Sequence, residues 1–259
     1  MMNLYFDRTL AEKYTSRSQM ARVLTETWAK ANMYCPRCGY PQLTRFQNNC
    51  KVADFFCNEC KNEYELKSRN GDIGHKIMDG AYDTFVQRIT SANNPDFFVM
   101  SYDLSELRVN NLWVVPKYFF TPSIVEKRKK LSSEARRAGW IGCNILFDEV
   151  PEQGKIYVVR NGVPVNVDDV VESVKKSSQL ETANLDARGW LLDTLNCVNK
   201  ISKEVFSLKE IYQFENELKA RHPENKNIQA KIRQQLQILR DKGCLEFLER
   251  GVYRKKALH

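Results

Sequence analysis

The chain has 259 residues, 42% hydrophobic and 28% charged, with a net charge of +8. That length allows one large domain or two modest ones, and the ordinary apolar fraction excludes wholesale disorder. No apolar run is long enough to span a membrane, and MMNLYFDRTL lacks the basic-then-apolar layout of a secretion signal, so a cytoplasmic protein with no membrane partner is expected.

Eight cysteines fall at positions 35, 38, 50, 57, 60, 143, 197 and 244. Four of them form Cys35-Pro-Arg-Cys38 and Cys57-Asn-Glu-Cys60, two C-x2-C knuckles with a zinc-site separation. Each knuckle aims two thiolates at one ion, and two knuckles complete a closed tetrahedron, the mark of a structural zinc. Gly39 suits the turn after the first knuckle. A redox dithiol pair or chance spacing is the alternative. Cys50, Cys143, Cys197 and Cys244 have no matching partners and read as buried or incidental thiols.

Val52-Ala53-Asp54-Phe55-Phe56 and Glu63-Tyr64-Glu65-Leu66-Lys67-Ser68 flank the second knuckle. Both are rich in strand-forming residues, so Cys57–Cys60 reads as the turn of a hairpin. Residues two apart on a strand share a face, so Glu65 and Lys67 point the same way and Asp54 can face them. Asp, then Glu-x-Lys on the next strand, is the active-site layout of PD-(D/E)xK nucleases, with Ala53 where that motif has proline. Phosphodiester cleavage needs hard oxygen ligands for magnesium, which Asp54, Glu65 and the Leu66 carbonyl could supply. Lys67 could orient a bound water and help its deprotonation. The spacing alone also fits a solvated hairpin face.

Asp79 to Thr90 has apolar residues near helical spacing, with Asp79 as a possible cap. Asp96–Tyr102 and Leu112–Val115 read as buried strands, and Ile156–Arg160 as a strand before the hairpin dipeptide Asn161-Gly162. Strands mixed with helices give an α/β domain over residues 1–185. Lys127–Lys130 is a basic run that a solvated loop also explains. Arg136, Arg137 and Trp140 either present an aromatic ring among arginines to a nucleic-acid groove or surround a core tryptophan. Only three histidines occur, at 75, 222 and 259. This disfavours a His-based hydrolase, and His75 is read as non-catalytic, His222 as a surface turn residue and His259 as a loose terminus.

Residues 186–259 carry 15 basic against 10 acidic residues, a surplus that points to a polyanion. Arg188–Lys200 reads as a helix. Ser207-Leu208-Lys209-Glu210 is a capping box opening a second helix to about Arg221. Asn227–Asp241 is a third, closed by Gly243. Leu245–Leu248 and Val252–Arg254 complete a hairpin, making an α+β winged helix. The third helix would enter the major groove with Lys231, Arg233, Gln234 and Gln235 on its polar face, and Lys255 and Lys256 would contact phosphates. A winged helix used for protein contacts is the competing reading.

Eight segments resemble the DpnI-type methyl-directed restriction endonucleases, in order along the chain. They are SQMARVLTETW (18–28), MYCPRCG (33–39), VADFFCNEC (52–60), EYELKS (63–68), DGAY (79–82), NNPDFF (93–98), RRAGWIGCNI (136–145) and KIRQQLQILRDKG (231–243). The resemblance implies a magnesium-dependent type II endonuclease that cuts duplex DNA at GATC when the adenine is N6-methylated. It implies a monomer with a zinc-containing catalytic domain and a C-terminal winged helix, both reading the methylated sequence. Carried onto this chain, Asp54 and Glu65 would bind metal and Lys67 would lie beside the attacking water. Cys35, Cys38, Cys57 and Cys60 would bind zinc, and Trp140 would face the DNA. The competing expectations are a zinc-containing winged-helix DNA-binding regulator without catalysis, and a repair nuclease with another specificity.

Overall fold

The computed structural model describes residues 2–12, 14–47 and 53–256. Cys50, Val52 and His259 lie outside the described residues. A short helix α1 (Arg8–Ala11) precedes the long α2 (Arg17–Asn32). Strands β1 (Thr44–Arg45), β2 (Phe55–Phe56), β3 (Glu63–Asn70) and β4 (Lys76–Ala81) follow, then α3 (Tyr82–Ile89). Next come β5 (Asp96–Asp103), β6 (Arg108–Val115), β7 (Val125–Lys127), β8 (Gly142–Leu146), β9 (Ile156–Arg160) and β10 (Val163–Pro164), then α4 (Val167–Ser177).

The main sheet is mixed, with strand order β1-β2-β3-β5-β6-β9-β10, and a small antiparallel sheet β4-β8-β7 lies apart from it. β3 and β5 are parallel, so the chain between them must cross over, and β4 with α3 makes that crossover. β5 is buried in all but its last residue, as a central strand covered on both faces should be. Alternation then sorts its side chains. Phe98, Met100 and Tyr102 join Leu24 and Trp28 of α2 and Val170 and Val174 of α4 on one face. Phe97 and Val99 join Phe85 and Ile89 of α3 on the other. Burying each such side chain is worth roughly 1.5–3 kcal/mol. Asn161 and Gly162 both have positive φ, 49° and 71°, which sets the tight β9–β10 turn.

The expected helix over Asp79–Thr90 begins later, at Tyr82, with Ala81 at the cap position. Asp79 does not cap it but belongs to β4, where the pairing with β8 shifts register between Asp79 and Ala81.

The C-terminal segment holds α5 (Leu185–Lys200), β11 (Val205–Ser207), α6 (Leu208–Ile211), α7 (Glu215–Arg221), α8 (Ile228–Asp241), β12 (Leu245–Glu249) and β13 (Val252–Lys255). Both hydrogen bonds of the Ser207–Glu210 capping box form. A 3-10 turn over Tyr212–Phe214 splits the expected second helix into α6 and α7. The hairpin gains an unexpected third strand, giving the order β11-β13-β12.

One apolar cluster crosses the expected boundary near residue 185. Phe147, Val150 and Leu180 share it with Trp190, Leu191 and Leu195. Polar contacts reinforce it, with Asn196 Nδ2 donating to the Glu149 carbonyl at 2.7 Å and Arg221 pairing with the Glu149 carboxylate at 2.6 Å. Among the described residues no helix is long and apolar enough to cross a membrane.

Candidate active site

The four cysteines of the two knuckles converge. Among the described residues they form the one group of His, Cys, Asp and Glu side chains whose ligand atoms all lie within 4.8 Å of one another. Gly39, at φ +76°, closes the first knuckle by donating to the Cys35 carbonyl at 2.8 Å. Lys61 closes the second, donating to the Cys57 carbonyl at 3.1 Å. The Cys35–Cys60 and Cys38–Cys57 sulfurs are 3.6 Å apart. A zinc tetrahedron with bonds of about 2.3 Å has edges of roughly 3.8 Å, so the four thiols could hold a structural zinc. Tyr64 Oη lies 3.0 Å from Cys35 Sγ, and Asn62 Nδ2 donates to the buried Asp96 carboxylate at 2.7 Å. The knuckles are thereby fastened to β3 and β5. Burial pushes the Cys143, Cys197 and Cys244 thiols up, to about 11, 12 and 11, which keeps them inert.

The second knuckle turns β2 back onto β3 as a hairpin. Phe55 pairs with Tyr64 and Phe56 with Glu63, so the next step of the register sets Asp54 opposite Glu65. The Asp54 N–H donates to the Tyr64 carbonyl at 3.0 Å, and Asp54 Oδ2 accepts the Leu66 N–H at 2.7 Å. A strand residue's N–H and C=O point to the same side, so the Leu66 carbonyl is also turned towards Asp54. Lys67 Nζ lies 2.5 Å from Glu65 Oε1. Asp54, Glu65 and Lys67 therefore share one face of the hairpin. Burial and the nearby Glu65 and Glu26 charges raise the Asp54 carboxyl above its ordinary range, against the Leu66 hydrogen bond and Lys67. Burial opposes the Lys67 charge, but the Glu65 and Asp79 carboxylates outweigh it and raise its pKa.

Three groups at this site were not anticipated. Asp79 Oδ1 lies 2.5 Å from Lys67 Nζ, and Arg88 Nε of α3 is 3.7 Å from Glu65 Oε2. Glu26 of α2 is buried, pairs with Arg22 at 2.7 Å and with Arg45, and its charge reaches Asp54. The donor set fits a hard divalent cation, with the Leu66 carbonyl and the carboxylates of Asp54 and Glu65, the latter with a buried Oε2 that has no hydrogen-bond partner. His75 is exposed, and its ring pairs with the Asp148 carboxylate.

A basic loop leaves the small sheet beside these acids. Cys143 of β8 is paired with Asp79 of β4, and the loop joining β7 to β8 ends immediately before that strand. It is pinned by Arg128 N to Gly142 O and Leu131 N to Trp140 O, both at 2.9 Å. Lys129, Lys130, Arg136 and Arg137 are exposed on it, and Lys127 lies over the Tyr82 ring at 4.9 Å. Trp140 is half-buried. Its ring rests on Gly142, where an added Cβ would come within 2.7 Å, and the Arg137 guanidinium covers it at 4.6 Å. The ring is therefore neither a core residue nor a free one.

The C-terminal segment presents its polar residues unevenly. Arg233 and Gln234 are exposed on α8, with Arg233 donating to Tyr212 Oη at 2.7 Å. Lys231 is half-buried over the Trp190 ring at 5.6 Å. Gln235 does not lie on the polar face. It is 2% exposed, between Ile232 and Leu239 on the buried stripe. Lys255 is no free cation either, since Nζ donates to the Ile201 carbonyl and burial lowers its pKa, whereas Lys256 is exposed. His222, expected on the surface, stacks on Trp190 with ring centroids 3.8 Å apart and bonds Asp193 at 2.9 Å.

Two family models match the chain. The DpnI Dam-replacing family covers residues 2–183, and the Dam-replacing HTH domain covers residues 186–255.

Proposed function

Because the chain belongs to the DpnI Dam-replacing family, which implies methyl-directed restriction and DNA binding, we propose that it is a type II endonuclease cleaving duplex DNA at N6-adenine-methylated GATC by magnesium-dependent hydrolysis. The observation that carries the chemistry is the face shared by Asp54, Glu65 and Lys67 beside the Leu66 carbonyl. We assign residues 1–185 to a PD-(D/E)xK catalytic unit with a structural zinc, and residues 186–259 to a winged helix. The protein would act as a monomer in the cytoplasm.

Asp54, Glu65 and the Leu66 carbonyl would hold the magnesium ion. When bound, such an ion stabilises charge building on the phosphate and lowers the pKa of a water. Lys67, kept charged by its carboxylate neighbours, would give its remaining N–H to the attacking water. Glu65 holds the ammonium on the metal-facing side of β3. The four-cysteine cluster fixes the hairpin so that these groups need not reorganise during the reaction.

DNA would run over the basic β7–β8 loop and along α8. Arg136, Arg137 and Lys256 supply phosphate contacts, and Trp140 supplies an aromatic face. On α8, Arg233 and Gln234 are the side chains placed for base edges, with Lys231 behind them. One methyl group read by an apolar pocket gives roughly 1–3 kcal/mol, or about 10–200-fold. A genome of competing sites demands more, which favours methyl reading by both segments.

Digestion of adenine-methylated and unmethylated plasmid with Mg2+ tests this function. Cutting of the methylated plasmid alone, at GATC, is expected. A shift in gel mobility without cutting would indicate a DNA-binding regulator instead, and cutting unrelated to methylated GATC a repair nuclease.

A further inference from the structure

We propose that Asp79 is a positioning residue that fixes the Lys67 ammonium at the cleavage site, a role that rests on the nuclease assignment above. Asp79 reaches Lys67 from a different sheet. Lys67 stands on β3 of the main sheet and Asp79 on β4 of the small one, yet Asp79 Oδ1 is 2.5 Å from Lys67 Nζ. Their side chains are 10% and 11% exposed, so water contributes little to holding either group.

The Asp79 carboxylate is itself fixed. The Gly80 N–H donates to Oδ1 at 2.6 Å, and the register shift between Asp79 and Ala81 turns this end of β4. The other oxygen, Oδ2, is buried without a hydrogen-bond partner. A buried unpartnered carboxylate oxygen is costly, so the acid is not there to improve packing.

A lysine ammonium is a compact charge with three donors on a flexible four-carbon stem, and one partner does not define its place. Glu65 is one partner at 2.5 Å, but Glu65 is also assigned to the metal. Asp79 is the partner with no second task. With Nζ held from two sheets, the remaining donor is left for the reacting groups. Lys67 would then keep its place when Glu65 turns to the cation.

The test is a comparison of wild type, Asp79→Asn, Asp79→Glu, Lys67→Met and the Asp79→Asn/Lys67→Met double variant. Single-turnover cleavage of a methylated GATC duplex is measured with Mg2+, and duplex affinity with Ca2+ in its place. Misplacement of a reacting group by about 1 Å costs on the order of 100-fold. Asp79→Asn is therefore expected to cleave about 100-fold more slowly, with duplex affinity within about twofold of wild type. Asp79→Glu, which keeps the charge, recovers part of the loss. In the Lys67→Met background, Asp79→Asn causes no further loss, because the group it positions is gone. Wild-type rates in Asp79→Asn, a matching loss of duplex affinity, or a full second penalty in the double variant would overturn the proposal. Failure of the wild type to cut would instead overturn the nuclease assignment on which it rests.

Discussion

Tyr64 Oη lies 3.0 Å from Cys35 Sγ, and the next residue along the strand is Glu65. The thiol cluster and the acidic face are thus neighbours on one strand, and metal at the first should govern the second. Purified protein is expected to carry one zinc per chain. Stripping it should lower the melting temperature by well over 10 °C, since structural zinc contributes roughly 10–16 kcal/mol in small domains, and cleavage should stay lost when only Mg2+ is restored. Tyr64→Phe should cost about 1 kcal/mol and weaken zinc retention about tenfold, read by competition with a chromogenic chelator. A metal-free protein with unchanged melting would contradict the assignment.

Asp54 should cost stability at neutral pH. Its folded pKa is raised, chiefly by burial and then by Glu65 and Glu26. Below the unfolded value, about 3.9, both states are protonated and there is no penalty. The penalty builds as pH rises from that value and is complete once pH has passed the raised folded value. Asp54→Asn keeps an acceptor for the Leu66 N–H and removes the charge. It should melt about 2–4 °C higher than wild type at pH 7 without divalent metal, an increment of ~1 kcal/mol for a chain of this size. That advantage should vanish below pH 4. An equal advantage at both pH values would point to packing.

Trp140 and Gly142 form one unit, because the indole occupies the space a Cβ at Gly142 would need. Trp140→Ala is expected to weaken binding to methylated duplex by about 10–100-fold, the range of ~1–3 kcal/mol for one stacked base. Its melting temperature should change little, since the ring is half-exposed. Gly142→Ala should displace the ring and reproduce the loss. Fluorescence anisotropy with labelled duplex reads both. Unaltered binding by Trp140→Ala would remove the ring from the interface.

On α8 two neighbours should behave oppositely. Arg233→Ala is expected to weaken DNA binding by about 1–3 kcal/mol. Gln235→Leu should leave DNA binding unchanged and keep or raise the melting temperature, because Gln235 Oε1 is buried without a partner. Loss of DNA affinity in Gln235→Leu would contradict this placement.

The clustered cysteines, the hairpin they close and the buried strand β5 were legible because spacing and alternation are local signals. So was the capping box at Ser207 and Glu210, whose two partners lie within one turn. The position of Gln235 was legible but misread. It lies seven residues after Ile228 and three after Ile232, on the apolar stripe rather than the polar face. Asp79 was misread for a different reason: an aspartate ahead of helically spaced apolar residues mimics a cap, and only the β4–β8 pairing assigns it to a strand. β11 is three residues long and carries no pattern of its own. The apolar cluster joining Phe147 and Leu180 to Trp190 depends on tertiary packing. Because of that shared cluster, cutting the chain at residue 185 would expose core, so point variants separate the two segments better than truncation.

The most direct measurement is single-turnover cleavage of fully methylated, hemimethylated and unmethylated GATC duplexes by wild type and Asp54→Ala in Mg2+. Wild type is expected to cut the fully methylated duplex fastest. Asp54→Ala, folded and binding the same duplex, should be slower by about 1,000-fold or more, the loss that accompanies ~4 kcal/mol of transition-state stabilisation. Strand scission by Asp54→Ala at the wild-type rate would contradict the role in cleavage proposed for Asp54.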